Sequence, residues 1–163
     1  MGGGIAGPTL AVALRRIGME AEVFEQLPPD ADQRGSWINF QANGLDALRA
    51  VGLESWVAEI GYPVDTISFV NGRGRSLGQM PMAFRRPDGL TSLMMPRARL
   101  FVALAEAARH HGIPVHHDKR LIDARDTGDG VIARFADGTE ATGDILIGAD
   151  GIHSTVRRLI DPT

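Results

Sequence analysis

Gly2-Gly3-Gly4-Ile5-Ala6-Gly7 opens the chain and decides how the rest is read. Gly2, Gly4 and Gly7 satisfy the pattern GxGxxG, in which a tight turn brings backbone N–H groups at a helix N-terminus close to a pyrophosphate. Alone, the pattern is weak, because a plain glycine-rich loop reads the same way. Its surroundings strengthen it. Leu10, Leu14 and Ile17 recur at helical spacing, and Gly18 is placed to end that helix. A strand over Ala21 to Glu25 follows and ends in an acid about 20 residues beyond the turn, where a carboxylate can accept hydrogen bonds from both hydroxyls of an adenosine ribose. Glu25 is the candidate for that role; the competing reading is an ordinary solvated strand end. The glycine turn follows Met1 directly, so the buried strand expected to feed it is missing.

Outward from this unit, Leu27 to Gly35 is rich in Pro and Asp and reads as a loop containing Arg34. Asn43 to Val51 is expected to be a helix, with Leu45, Leu48 and Val51 inward and Gly52 as its stop. Between Tyr62 and Met94, short strand patterns are broken by Asn71-Gly72, Arg73-Gly74 and Pro87-Asp88-Gly89. This predicts an inserted antiparallel piece over 62–94 where a substrate region begins. Arg97 to His111 carries Leu100, Leu104 and Ala107 on one helical face, and Ile113 to His116 then resumes the βαβ rhythm. Leu121 to Asp126, Val131 to Phe135 and Thr139 to Thr142, separated by Gly128-Asp129-Gly130 and Asp137-Gly138, form a three-stranded meander. Asp144 to Ala149 is nearly continuously apolar, as a strand covered on both faces must be.

Composition narrows the function classes. At 163 residues and 44% hydrophobic, the chain has material for one ordinary core and reads as a single domain. A net charge of −3 with interspersed signs supplies no basic stripe for nucleic acid and no polybasic membrane anchor, and the apolar runs are too short to span a bilayer. Zero cysteines exclude a disulfide framework and thiolate metal sites, and suit a cytoplasmic protein. His110-His111 and His116-His117 are read as surface residues, not as a metal site. Ser154 near Asp150 does not make a hydrolase, since the GxSxG elbow is absent.

Near the far end stands Gly148-Ala149-Asp150-Gly151-Ile152-His153-Ser154-Thr155-Val156-Arg157. Taken with the glycine turn, Glu25, the stretch from Arg34-Gly35 to Asn43-Gly44 and the helix start Pro96-Arg97-Ala98-Arg99-Leu100, it resembles the FAD-dependent monooxygenases of the aromatic-hydroxylase family, which includes para-hydroxybenzoate hydroxylase. The resemblance runs from Gly2 to Pro162. Asp150-Gly151, with Ser154 and Arg157 after it, looks like that family's second fingerprint, the motif implicated in both FAD and NAD(P)H binding; the bland alternative is a tight turn after a buried strand.

The resemblance implies an α/β fold. Its parts are a doubly wound, Rossmann-like FAD-binding sheet with a βαβ unit and a β-meander crossover, a first strand that is missing, and the start of a substrate-binding lobe. It implies that the amides from Gly4 through Ile5 and Ala6 to Gly7 hold the pyrophosphate, that Gly2 makes the turn and that Glu25 holds the ribose. Arg34 and Arg97 would contact the flavin nucleotide, and Asp150 and Gly151 would lie by the pyrophosphate and ribityl region. Arg34 also reads as a solvated loop residue, and Arg97 competes with Arg99. NAD(P)H would supply electrons and a small aromatic molecule would be the substrate. No side chain is expected to act as a general acid or base, because the cofactor carries the chemistry.

In the family, the missing strand lies between Ala21–Glu25 and Asp144–Ala149, and a third, Gly-Asp fingerprint follows a substrate-binding sheet. Neither is in this sequence, which is therefore read as a fragment, 1–163 forming one incomplete FAD-binding domain. An alternative is a noncatalytic nucleotide-binding or interaction remnant that pairs its open sheet edges with another chain. A third reading, an NAD(P)-dependent dehydrogenase, also uses Glu25 but gives no reason for Asp150-Gly151 to Arg157.

Overall fold

The computed structural model describes residues 1–29, 35–82 and 85–162. Two compact units divide the chain, residues 1–34 with 104–163, and residues 35–103.

The first unit begins with helix α1, Ala6–Arg16. Its buried residues are Pro8, Ala11 and Val12, whereas Ile17 is 73% exposed. The buried stripe is therefore rotated from the expected Leu10–Leu14–Ile17 face onto Pro8, Ala11 and Val12. Gly18 ends the helix in the left-handed region at φ 86°, its N–H donating to the Arg15 carbonyl while the Met19 N–H donates to Leu14. Strand β1, Val23–Phe24, follows.

In the other unit, β2 (Trp37–Phe40), α2 (Ala42–Ala50), α3 (Glu54–Ala58), β3 (Tyr62–Val64), β4 (Thr66–Val70), β5 (Ser76–Pro81) and β6 (Ser92–Pro96) follow in order. Strand β6 is central in an antiparallel sheet, with Asn39 and Tyr62 both opposite Met94. The antiparallel region thus also takes in residues 37–40. Strands β4 and β5 make a separate hairpin, whose turn is fixed by Asn71 Oδ1 accepting from the N–H groups of Arg73 and Arg75. Leu45, Leu48, Leu53, Val57, Leu93 and Met95 are buried, which explains the helical periodicity of α2 and the apolar run of β6. The Arg86 guanidinium, 8% exposed, is paired with Glu54 at 2.5 Å, Asp88 at 2.6 Å and Asp46 at 3.1 Å, and so ties the Pro87-Asp88-Gly89 turn to α2 and α3.

Helix α4, Arg97–His110, has Leu100, Leu104, Ala107 and Ala108 fully buried. Back in the first unit, β7 (Val115–His116) pairs in parallel with β1, Val23 opposite Val115. Strands β8 (Leu121–Asp126), β9 (Val131–Phe135) and β10 (Glu140–Gly143) form the expected meander in the order β10-β9-β8. Leu121, Ala133, Phe135 and Val156 make its core, against which Met1, Phe24, Ala141 and Leu146 pack. Phe24 stacks on both His116 (4.8 Å) and Phe135 (5.0 Å). The last element is helix α5, Thr155–Ile160.

The α/β character expected from the sequence is present, but residues 144–149 join no strand ladder. The reason is local. A strand is defined by its backbone partners, and among the described residues the backbone hydrogen bonds of this segment run to Met1: the Met1 ammonium donates to the Ile147 carbonyl and the Ala149 N–H to the Met1 carbonyl, both at 2.7 Å. Among the described residues, no helix is long and apolar enough to cross a membrane.

Candidate nucleotide site

The glycine turn is built by backbone contacts that only glycine permits. Gly2 lies at φ 102°, and a Cβ there would sit 2.2 Å from the Ala149 carbonyl oxygen. A Cβ at Gly7 would sit 1.8 Å from the carbonyl oxygen of Gly2, so the turn closes tightly on the first turn of α1. Gly2 donates its N–H to the Phe24 carbonyl at 2.8 Å, which joins the turn to β1.

This geometry leaves α1 with an open N-terminus. Ile5, the N-cap, supplies no side-chain bond to the helix, and Pro8 in the first turn has no N–H to satisfy. Among the described residues, the N–H groups of Gly4, Ile5, Ala6 and Gly7 donate to no protein acceptor. Four adjacent backbone donors at the positive end of an 11-residue helix form an anion cradle of the kind that takes a phosphate or pyrophosphate.

Glu25 folds over the same turn. Its Oε2 accepts from the Gly3 N–H at 2.5 Å and its Oε1 from the Leu27 N–H at 2.9 Å. A carboxylate offers about four acceptor positions, so two remain for hydroxyl donors such as those of a ribose. Gly3 is a contact that the sequence reading missed. The fingerprint treats that position as variable, yet a Cβ there would lie 2.8 Å from Glu25 Cβ. The three consecutive glycines were the available signal.

Asp150 reaches the site from the other side and is turned into α5. Its Oδ1 accepts from Ser154 Oγ at 2.5 Å, and its Oδ2 from the N–H groups of Thr155 (2.7 Å) and Val156 (3.2 Å). Burial acts to raise its pKa, but the Ser154 hydroxyl and the backbone N–H groups of Val156 and Thr155 outweigh it and hold the carboxyl below its ordinary range. Ser154, the N-cap, also accepts from the Arg157 N–H at 2.9 Å, and Gly151, at φ 78°, makes the turn that allows this. The spacing from Asp150 to Ser154 and Arg157 therefore encodes one capping arrangement.

Glu25 and Asp150 flank the Met1–Gly2 backbone. The Met1 ammonium feels both: burial lowers its pKa, while the charges of Asp150 and Glu25 pull the other way. Gly2, Gly7, Glu25 and Asp150 are thus brought together in the first unit. Arg97 belongs to the second, where its N–H donates to the Ser36 carbonyl and its guanidinium lies 5.3 Å from the Phe101 ring centroid. Arg34 lies outside the described residues.

A glycine turn at the head of a helix, followed by a strand in parallel pairing with an acid just after it, is the arrangement of a dinucleotide-binding α/β fold. The chain belongs to the FAD binding domain family, which matches residues 1–163. It is 35% identical over 157 residues to the aurachin C monooxygenase/isomerase of Stigmatella aurantiaca, covering 96% of this chain and 40% of that protein. It is 31% identical over 163 residues to 3-hydroxybenzoate 6-hydroxylase 1 of Aquipseudomonas alcaligenes, covering 98% and 41%. The structure is similar to that of Klebsiella pneumoniae HpxO complexed with FAD and uric acid, with a TM-score of 0.80 and 28% identity over 96% of this chain and 39% of that one. The chain therefore spans about two fifths of the length of these relatives.

Proposed function

We propose that this chain is the FAD-binding portion of an NAD(P)H-dependent flavoprotein monooxygenase that hydroxylates a small aromatic molecule in the cytoplasm. The observation that carries the reading is the row of unpartnered N–H groups from Gly4 to Gly7 at the head of α1, with Glu25 folded over the same turn. The N–H groups would hold the pyrophosphate, and the free lone pairs of Glu25 the ribose hydroxyls. Asp150, Ser154 and Gly151 would shape the opposite wall, and Arg34 and Arg97 would contact the nucleotide. Bound FAD would supply the redox chemistry that transfers one oxygen atom from O2 to the substrate. The chain's own residues would bind and orient it, and none is assigned a proton-transfer role.

The similarity to proteins named for 3-hydroxybenzoate and aurachin C hydroxylation or oxygenation supports an aromatic substrate. In this reading the doubly wound sheet is incomplete, residues 1–163 are one partial domain, and 62–94 begins the substrate lobe, so catalysis belongs to the longer protein. The test is anaerobic addition of NADH or NADPH to the FAD-loaded chain and to a full-length relative carrying it as its N-terminal portion. Flavin bleaching, and oxygen uptake with candidate phenols, only in the full-length protein is the expected result. Bleaching of neither would refute the monooxygenase assignment.

A second reading, an interaction remnant without catalysis, is favoured by one observation: Ile145 and Ile147 are 67% and 39% exposed beside the single rung made by Met1.

A further inference from the structure

The turn that carries Glu25 is held by the segment that follows β7. Val23 donates its N–H to the Pro114 carbonyl and Glu25 donates to that of His116, in the register that sets Val23 opposite Val115. Continued regularly, this ladder would set Glu25 opposite His117, and the Glu25 carbonyl would accept from Asp118. It accepts instead from the Lys119 N–H at 2.8 Å. His117 and Asp118 together therefore oppose Glu25, a β-bulge with one extra residue. Asp118 sits at φ 59°, in the left-handed region where, among the described residues, no other non-glycine residue lies.

Both ends of the bulge are anchored. The His116 ring stacks on Phe24 at 4.8 Å, and its Nε2 lies 2.9 Å from Glu22 Oε2. Lys119 Nζ donates to Asp137 at 2.6 Å and to Thr139 Oγ1 at 2.8 Å.

Between these anchors the half-buried His117 is turned onto the loop after β1. Its Nδ1 lies 3.2 Å from the Leu27 carbonyl oxygen, and its Nε2 lies 3.2 Å from Arg109 Nη2. A guanidinium only donates, so Nε2 accepts and the ring proton sits on Nδ1, which donates to Leu27. The Asp118 N–H reaches the same carbonyl at 3.4 Å. Pro28 and Pro29 follow with no N–H of their own, so donors from the bulge hold the exit of the turn. Leu27 in turn donates its N–H to Glu25 Oε1 at 2.9 Å.

We infer, on the reading that Glu25 holds the ribose, that His117 is a positioning residue for the nucleotide. As the neutral Nδ1–H tautomer braced by Arg109, it pins the Leu27 carbonyl and so keeps the Leu27 N–H on Glu25 Oε1. A carboxylate fixed in this way loses little further freedom when a ligand binds, which is how a residue that touches no ligand raises affinity.

FAD affinity, read by flavin fluorescence, tests this in the chain, in His117→Ala, His117→Asn and Glu25→Ala, and in the double variant carrying His117→Ala and Glu25→Ala, each checked for folding by thermal unfolding. An asparagine side chain places an amide N–H near the position of Nδ1 and should keep the bond to Leu27. The expected result is about threefold to tenfold weaker binding in His117→Ala, recovery in His117→Asn, and no further loss when His117→Ala is added to Glu25→Ala. An equal loss in both backgrounds would overturn the positioning role, as would unchanged affinity in His117→Ala while Glu25→Ala binds weakly. Two readouts need no flavin. Nitrogen-resolved NMR of the imidazole should show the His117 proton on Nδ1, and Leu27 amide exchange should quicken in His117→Ala but not in His117→Asn. A chain that gives both signals yet binds no FAD would contradict the nucleotide reading and leave the brace on Glu25 supported. A proton on Nε2, or equal Leu27 exchange in the three proteins, would overturn the brace itself.

Discussion

The carbonyl oxygen of Gly2 lies where the Cβ of any other residue at position 7 would be, 1.8 Å from that point. The glycine turn and the first turn of α1 therefore close on each other through backbone alone. Neither side of the contact is a flexible side chain that could yield.

Gly7→Ala is accordingly expected to distort the turn, at a cost of about 1–3 kcal/mol. Thermal unfolding measures this. A Gly72→Ala control, at a turn with open space around its Cβ position, should shift the midpoint far less.

Glu25→Ala removes the acceptor of the Gly3 and Leu27 N–H groups, which should cost about 1–3 kcal/mol for the charge-assisted pair and weaken FAD binding by about tenfold or more. Glu25→Gln keeps one acceptor oxygen and should fall between the two. Equal affinity in all three proteins, measured by flavin fluorescence, would remove Glu25 from the nucleotide site.

Asp150 gives a pH dependence with a defined sign. Its folded pKa lies below the ordinary value of 3.8, so the folded state favours the carboxylate. That contribution is present above the ordinary carboxylate range and is lost as pH falls through the folded pKa. The melting temperature of the chain should therefore drop on acidification through that window, and Asp150→Asn should both lower stability at neutral pH, by about 1 kcal/mol, and flatten the acid slope. Unfolding midpoints from neutral pH down to about 3 measure both effects.

In the other unit, Arg86→Ala leaves Glu54, Asp46 and Asp88 without their shared cation. The expected cost is about 2–3 kcal/mol, because the guanidinium is nearly buried and makes charged hydrogen bonds. Faster amide exchange at Gly89 and Leu90 and along α2 is the corresponding local signal.

Much of this architecture is legible in the residues. Gly18 and the repeat at Leu45 and Leu48 fixed the ends and inner faces of helices because those features depend on local sterics and burial. The meander was readable from Gly128 and Gly138, which adopt the positive φ their turns require. The site was legible as Gly2, Gly7, Glu25 and Asp150, but not as the Gly3–Glu25 bond, since no spacing rule reports which amide a carboxylate will find. Two other features escaped for a different reason. The buried stripe of α1 on Pro8, Ala11 and Val12, and the absence of a ladder at 144–149, depend on what lies beside those segments in space. Periodicity carries no such information.

The central claim is that the turn from Gly2 to Gly7 holds the pyrophosphate of FAD. Its most direct test is a fluorescence titration of FAD with the chain and with its Gly7→Ala variant. Saturable one-to-one quenching by the chain, lost in the Gly7→Ala protein, is the expected result. Absence of quenching by the folded chain, or quenching unchanged by Gly7→Ala, would contradict it.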